Sequence, residues 1–236
     1  MLSAYLKLAA RNFFKNKASS FINVGGLALG MTVAIFISLW IYDELSFNKT
    51  HSNYNQIAQI VQHQHTGNGL QTFETLPMPL AKLLRMNYPA DIKDVAATVR
   101  FDPFIQYKDK VLTSQGIFAE SAFPEILLPE MFTGDRRSIE DPSAILLSQS
   151  LSHSLFGAEN PMNKLVKIAG KFILQVKGIY KDQPQNSSFS QMKFVAPIEA
   201  LVKNNFVYDN WQSSFAQVYV LTAKSSDLSK DRLPKT

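Results

Sequence analysis

Residues Phe21 to Tyr42 read FINVGGLALGMTVAIFISLWIY, a run of 22 residues without a charge. At about 1.5 Å of rise per helical residue such a run crosses a hydrocarbon core roughly 30 Å thick, so it predicts a transmembrane helix. It exceeds the roughly 7 to 15 apolar residues of a cleaved secretory signal. It ends in Trp40 and Tyr42, whose amphipathic rings suit the membrane–water boundary, and no A-x-A cleavage pattern is present. Residues 1 to 20 hold the bases Lys7, Arg11, Lys15 and Lys17 and no acid, whereas the first charges beyond the run are Asp43 and Glu44. The positive-inside rule then predicts a cytoplasmic N-terminus and an extracytoplasmic chain from residue 43 onward.

Just upstream, Lys7, Arg11 and Lys15 recur every four residues, with Leu2, Tyr5, Leu6, Ala9 and Phe13 opposite. On a helix this gives one basic stripe and one apolar stripe. Residues 2 to 17 are therefore expected to form an interfacial helix in the cytoplasmic headgroup layer, its bases facing anionic lipid or an acidic partner. Inside the apolar run, Gly26 and Gly30 form a small-xxx-small pair with Ala34 one turn on, a spacing that lets a second helix approach closely.

Downstream, the chain has 236 residues, 46% of them hydrophobic, enough for a real core rather than disorder. Its net charge of +5 is unevenly placed: the first 50 residues carry five bases against two acids, leaving only +2 for the remaining 186. No basic, aromatic-interleaved run follows residue 50, so nucleic acid is not an expected partner. There is no cysteine, which excludes disulfides, thiolate catalysis and cysteine-based metal sites.

Strand and helix periods alternate through the rest. Ile57 to Gln64 alternates like a strand, and Gly67-Asn68-Gly69 carries turn chemistry. Pro77 to Tyr88 predicts a short helix with Leu80, Leu83 and Leu84 on one face, stopped by Pro89. Ile92 to Phe101 and Gly116 to Ser121 read as strands flanking a hairpin around Lys108-Asp109, with Pro124 to Phe132 as short helix or loop. Ser148 to Phe156, followed by Gly157, fits a capped helix. Lys164 to Ala169 and Lys171 to Tyr180 pair as a hairpin about Gly170. A strand at Met192 to Ala196, a helix at Pro197 to Lys203 and a strand at Ala216 to Ala223 complete the pattern. The expected class is α+β: one N-terminal transmembrane helix, then a two-lobed extracytoplasmic domain with mixed or antiparallel sheets and short helices. The expected divisions are residues 1–20, 21–42 and 43–236, with the lobes meeting near residues 120–135.

No chemistry stands out. His63 and His65 would share a strand face as a metal pair does, yet no third ligand accompanies them. Asp135-Arg136-Arg137 after Gly134 reads as a charged surface turn rather than an anion site. Ser148 and Ser150 lack a neighbouring base in sequence. No nucleophile elbow, phosphate loop or H-E-x-x-H motif occurs. The reading is a non-enzymatic chain with no cofactor and no metal.

Several stretches together carry a family resemblance. AARNFFKNKASSFINVGGLALG, then DELSFNKTHSN and NQIAQI, are followed by LPMPLAKLLRMNYPADIKDVAATVRF, EDPSAILLSQSLSHSLFGAENPMNKLVKI and VKGIYKDQPQNSSF. In this order they resemble MacB/FtsX-type ABC-transporter permeases, especially the long permeases of Bacteroidetes, over nearly the whole chain. Asn48 stands where that family commonly has Asp, and Ala58 and Gln59 where Tyr-Arg is usual.

The resemblance implies a non-catalytic permease subunit that couples ATP hydrolysis by a partner ATPase to movement of a MacB-like periplasmic core domain, for export or extraction of cargo. It implies an inner-membrane location and pairing with a second permease copy or homologue. Membrane lipid and a periplasmic adaptor or outer-membrane component are further expected partners. Lys7, Arg11, Lys15 and Lys17 would be the interface and coupling residues, and Gly26 and Gly30 the helix-packing ones. The family places at least three more helices after the outer domain, so the chain is expected to be an N-terminal fragment of a longer permease or a truncated product. The competing reading is a free-standing, membrane-anchored binding or adaptor domain without transport activity.

Overall fold

The computed structural model describes residues 11, 15, 17–49, 51, 53–67 and 69–223. It divides into two compact units, Met1–Phe47 and Asn48–Thr236. The first is built on helix α1, Lys17–Ser46, which contains the expected apolar run and extends it by about a turn at each end. None of its residues is buried. Among the described residues it is the one helix long and apolar enough to cross a membrane. Its two mid-span hydroxyls are satisfied within the helix: Thr32 Oγ1 donates to Ala28 O and Ser38 Oγ to Ala34 O, each at 2.8 Å. Neither hydroxyl therefore brings an unmet hydrogen-bonding group into lipid.

The second unit is α+β. Its first half holds β1 (Ile57–Ile60), β2 (Gln62–Thr66), β3 (Gly69–Phe73), β4 (Leu76–Pro77), α2 (Pro79–Asn87), β5 (Ile92–Phe101), β6 (Phe104–Tyr107), β7 (Lys110–Thr113) and β8 (Gly116–Ala119). Then follow α3 (Phe123–Leu127), β9 (Met131–Gly134), a 3-10 turn (Arg136–Glu140), β10 (Ala144–Ser148), α4 (Gln149–Phe156), β11 (Leu165–Ile168), β12 (Phe172–Tyr180), β13 (Phe194–Pro197), α5 (Glu199–Lys203) and β14 (Ser214–Thr222). One large sheet runs β1-β14-β5-β8-β13-β10-β12-β11-β6-β7, with β4 also on β14 and β9 also on β12. The β8–β13 and β10–β12 pairs are parallel and the others antiparallel, so the sheet is mixed. The β2–β3 hairpin forms a separate two-stranded sheet.

The middle of the large sheet is buried on both faces, and its strands sort their side chains accordingly. Val95, Ala97, Phe118, Ile145, Leu147 and Phe194 enter one apolar cluster, under α2, α4 and α5. Their alternates Ala96, Ile117, Leu146 and Val195 enter a second cluster with Phe123, Ile126 and Leu127 of α3. Toward β11 one face is exposed, giving Leu165–Ile168 a strict exposed-buried alternation.

Three expectations are corrected. The single strand at Ile57–Gln64 is two, because the chain leaves the large sheet after Ile60 and enters the hairpin at Gln62. Leu83 does not share the inner face of α2: Ala81 and Leu84 are buried, whereas Leu83 is 37% exposed. The strand at Ala144–Ser148 was not expected at all; all five residues are buried, so the two-residue alternation that marks a half-exposed strand is missing. Met1–Ala10, most of the expected interfacial helix, Asn68 and the polar stretch after Ala223 lie outside the described residues.

Candidate functional site

In the first unit, Arg11, Lys15 and Lys17 lie on helical backbone with exposed side chains. Lys7 is outside the described residues. A Cβ added at Gly26 or Gly30 would meet nothing within 4 Å, so backbone is bare along this side of α1. Bare backbone is what close helix–helix approach requires.

The second unit starts with a clip. Asn48 adopts φ 58°, a region that Asn tolerates better than most residues. Its N–H donates to Asn186 O (2.9 Å), its Nδ2 donates to Ser188 Oγ (2.9 Å), and its Oδ1 accepts from Ser188 N (2.8 Å). Both ends of the amide are used. An aspartate, which the family resemblance leads one to expect here, would keep the acceptor and lose the donor.

Among the described residues, two clefts on this unit bring polar side chains together. The first, about 630 Å³, gathers five carboxylates and three arginines from five stretches of the sequence. Arg85 of α2 donates through Nη2 to Val95 O (2.8 Å) and Glu120 Oε2 (3.1 Å), and Glu120 Oε2 also accepts from Ala97 N (3.1 Å). Burial pushes the Glu120 carboxyl above its ordinary range, partly offset by the Ala97 N–H and the Arg85 charge. Asp94 is raised for the same leading reason. Arg136 does not reach across the cleft: its Nη1 donates to Pro124 O and its Nη2 to Pro129 O, each at 3.0 Å, so it fastens the end of α3. Of the expected charged turn, then, Arg136 is a structural bracket. Arg137 lines the cleft, while its backbone N–H is capped by Asp135 Oδ1.

The second cleft, about 420 Å³, lies where β1 and β14 meet the segment just after α1 in sequence. On one wall the Arg100 guanidinium sits 5.5 Å over the Phe189 ring, and its Nε donates to Gln217 Oε1 at 3.1 Å. Tyr219 donates to that same oxygen at 3.3 Å, while Gln217 Nε2 donates to Glu74 Oε2 at 3.4 Å. Phe189 and Tyr219 pack edge to face at 5.5 Å and back this wall with rings. On the other side are His51 and Gln59. Burial, and secondarily the Arg136 charge, lowers the His51 pKa, so its imidazole is neutral near pH 7.

The other side chains singled out earlier have structural partners. Ser148 is the N-cap of α4, its Oγ accepting from Leu151 N, and Ser150 donates to Asp182, which Lys193 Nζ holds at 2.9 Å. His63 Nδ1 is 2.8 Å from Thr72 Oγ1 across the β2–β3 hairpin. No group of three or more His, Cys, Asp or Glu that could hold a metal is present among the described residues. Neither cleft was foreseen, because each is assembled from residues tens of positions apart and no local spacing signals it.

The family model of the MacB-like periplasmic core domain matches residues 20–231. The chain belongs to that family. Three solved structures share the fold of this MacB-like domain. A domain of a permease protein from Porphyromonas gingivalis is 20% identical with a TM-score of 0.61, over 73% of this chain and 75% of that one. The periplasmic region of MacB from Actinobacillus actinomycetemcomitans is 13% identical at 0.55, over 77% and 83%. The extracellular domain of the noncanonic ABC-type transporter YknZ from Gram-positive bacteria is 13% identical at 0.54, over 73% and 87%. No curated protein matches the chain. The matched family is a periplasmic core domain, and in this chain it follows an apolar N-terminal helix long enough to cross a membrane.

Proposed function

We propose that this MacB-like chain is a non-catalytic permease component of an ABC transporter, which converts ATP hydrolysis in a partner subunit into movement of its extracytoplasmic domain. The observation that carries the reading is the family match across residues 20–231, which takes in α1 and the α+β unit together. In this reading residues 1–20 lie at the cytoplasmic face of the inner membrane, residues 21–42 cross it, and the chain from residue 43 is periplasmic. Lys7, Arg11, Lys15 and Lys17 meet anionic lipid and the ATPase, whose cycle needs a cytoplasmic contact that these bases supply. The bare strip at Gly26 and Gly30 receives a helix of a second permease copy or homologue. The outer domain engages cargo, an adaptor or an outer-membrane component.

The test is the ATPase rate of the partner subunit in nanodiscs, with the full chain present or omitted. The chain is expected to change that rate several-fold, and neutralising Lys7, Arg11 and Lys15 together to abolish the change. A rate indifferent to the chain sinks the coupling role, and a rate indifferent to the three substitutions removes these residues from it.

A further inference from the structure

The β2–β3 hairpin forms a sheet of its own, and every residue of its two strands except Thr66 is exposed. From Thr50 to Phe73 the sequence holds no Lys, Arg, Asp or Glu, so the polar groups of β2 and β3 are amides, hydroxyls and two imidazoles. His63 and His65 are two apart on β2. That period puts both on one face, with Cα atoms about 6.8 Å apart. The register agrees: His63 lies across the ladder from Thr72, and His65 from Leu70. His63 Nδ1 is 2.8 Å from Thr72 Oγ1. In the tautomer that carries its proton on Nδ1, His63 donates to this hydroxyl and keeps a lone pair on Nε2. A metal-ligating imidazole is ordinarily held in this way, one ring nitrogen fixed by a neighbour and the other left to the ion. Opposite His65, Leu70 is 61% exposed and has no hydrogen-bonding group to engage the ring.

We propose that His63 and His65 chelate one divalent copper ion on the open face of this hairpin, water completing its coordination. The donor set selects the metal. Divalent copper heads the affinity order for nitrogen ligands and accepts a tetragonal array, in which the protein supplies two neighbouring positions. Zinc sites take three or four protein ligands, and the described residues offer no such group. Calcium and magnesium need oxygen ligands, chiefly carboxylates, and β2 and β3 carry none. No Lys or Arg stands on either strand to repel a dication. Once one imidazole holds the ion, the second binds it intramolecularly, at an effective concentration on the order of millimolar, so the pair binds far more tightly than either ring alone. The five-pair ladder of the hairpin fixes the spacing of the two rings without the metal. The site stands on the outer domain's own geometry and does not depend on ATPase coupling.

The experiment is titration of the full chain with copper(II) sulfate in a non-coordinating buffer, in phosphatidylcholine nanodiscs, with no histidine tag on the chain or the scaffold protein. Calorimetry gives the affinity and electron paramagnetic resonance the ligands. The tightest phase is expected to saturate at one ion per chain, with a spectrum that shows coupling to imidazole nitrogen. His63→Gln and His65→Gln are each expected to weaken it about tenfold or more, and zinc sulfate to bind about tenfold or more weaker than copper. Both substitutions fall on exposed positions, so an unchanged melting temperature separates lost ligation from lost folding. His153→Gln, on α4, is expected to leave the affinity as it was. Undiminished affinity in either hairpin variant overturns the assignment. So does a spectrum without nitrogen coupling, an equal loss in His153→Gln, or zinc binding as tightly as copper.

Discussion

Gly116 shows how tightly single positions are specified. A Cβ built on it lies 2.2 Å from two carbons of the Phe194 ring, and that ring is fully buried between strands. Gly116→Ala is expected to destabilise the outer domain by about 1–3 kcal/mol through overpacking, read as a lowered thermal midpoint by circular dichroism. A midpoint within error of wild type would mean that the ring moves freely in its pocket. At this scale the sequence was legible where chemistry is local. Ser148 and Gly157 were expected to bound α4; Ser148 does accept from Leu151 N, and Gly157 turns the chain at φ 62°. It was illegible where chemistry is long-range: the Asn48–Ser188 clip spans 140 residues, and Gln59 and Arg100 come to one cleft only when β14 lies between their strands.

Among the elements, α4 depends on an acid outside itself. Asp182, just past β12, accepts from Ser150 N at 2.9 Å, from Ser150 Oγ, and from Lys193 Nζ at 2.9 Å, tying the helix N-terminus to the segment before β13. Burial by itself raises the Asp182 pKa, but the hydrogen bonds from Ser150 and Lys193 outweigh it and hold the carboxyl below its ordinary range. A carboxylate lowered in the folded state adds stability at every pH above its unfolded value and loses it as the pH falls through the folded one. Asp182→Asn is therefore expected to cost about 0.5–1.5 kcal/mol near neutrality, the charged hydrogen bonds being weakened by solvent at this partly exposed site, and progressively less at strongly acid pH. Thermal unfolding followed across the acid range checks this, and a pH-independent difference contradicts it. The long uncharged run of α1 and the exposed-buried alternation of the hairpin about Gly170 were readable. The strand β10 was not, because Ala144–Ser148 has no solvent face to print a period on the sequence.

For the whole molecule, the absence of native cysteine makes topology directly measurable. Single cysteines at Ser3 and at Ser213 are expected to differ in intact cells: a membrane-impermeant maleimide reaches Ser213→Cys and not Ser3→Cys until the membrane is opened. Labelling of both from outside refutes the proposed orientation. The α+β class was legible because helix-period and strand-period segments alternate with short connections. The strand order was not, since pairing partners are chosen by packing across the chain. That order carries a consequence in time. Among the described strands, the edge strand β1, Ile57–Ile60, finds its ladder on β14, Ser214–Thr222, which also pairs with β4 and β5. At roughly 5–20 residues per second of synthesis, β1 waits on the order of ten seconds for its partner, with backbone groups and apolar side chains uncovered. The outer domain therefore completes its fold late, near the end of its own emergence, and whatever shields unpaired strands during that interval is as much a condition of its assembly as any contact in the finished sheet.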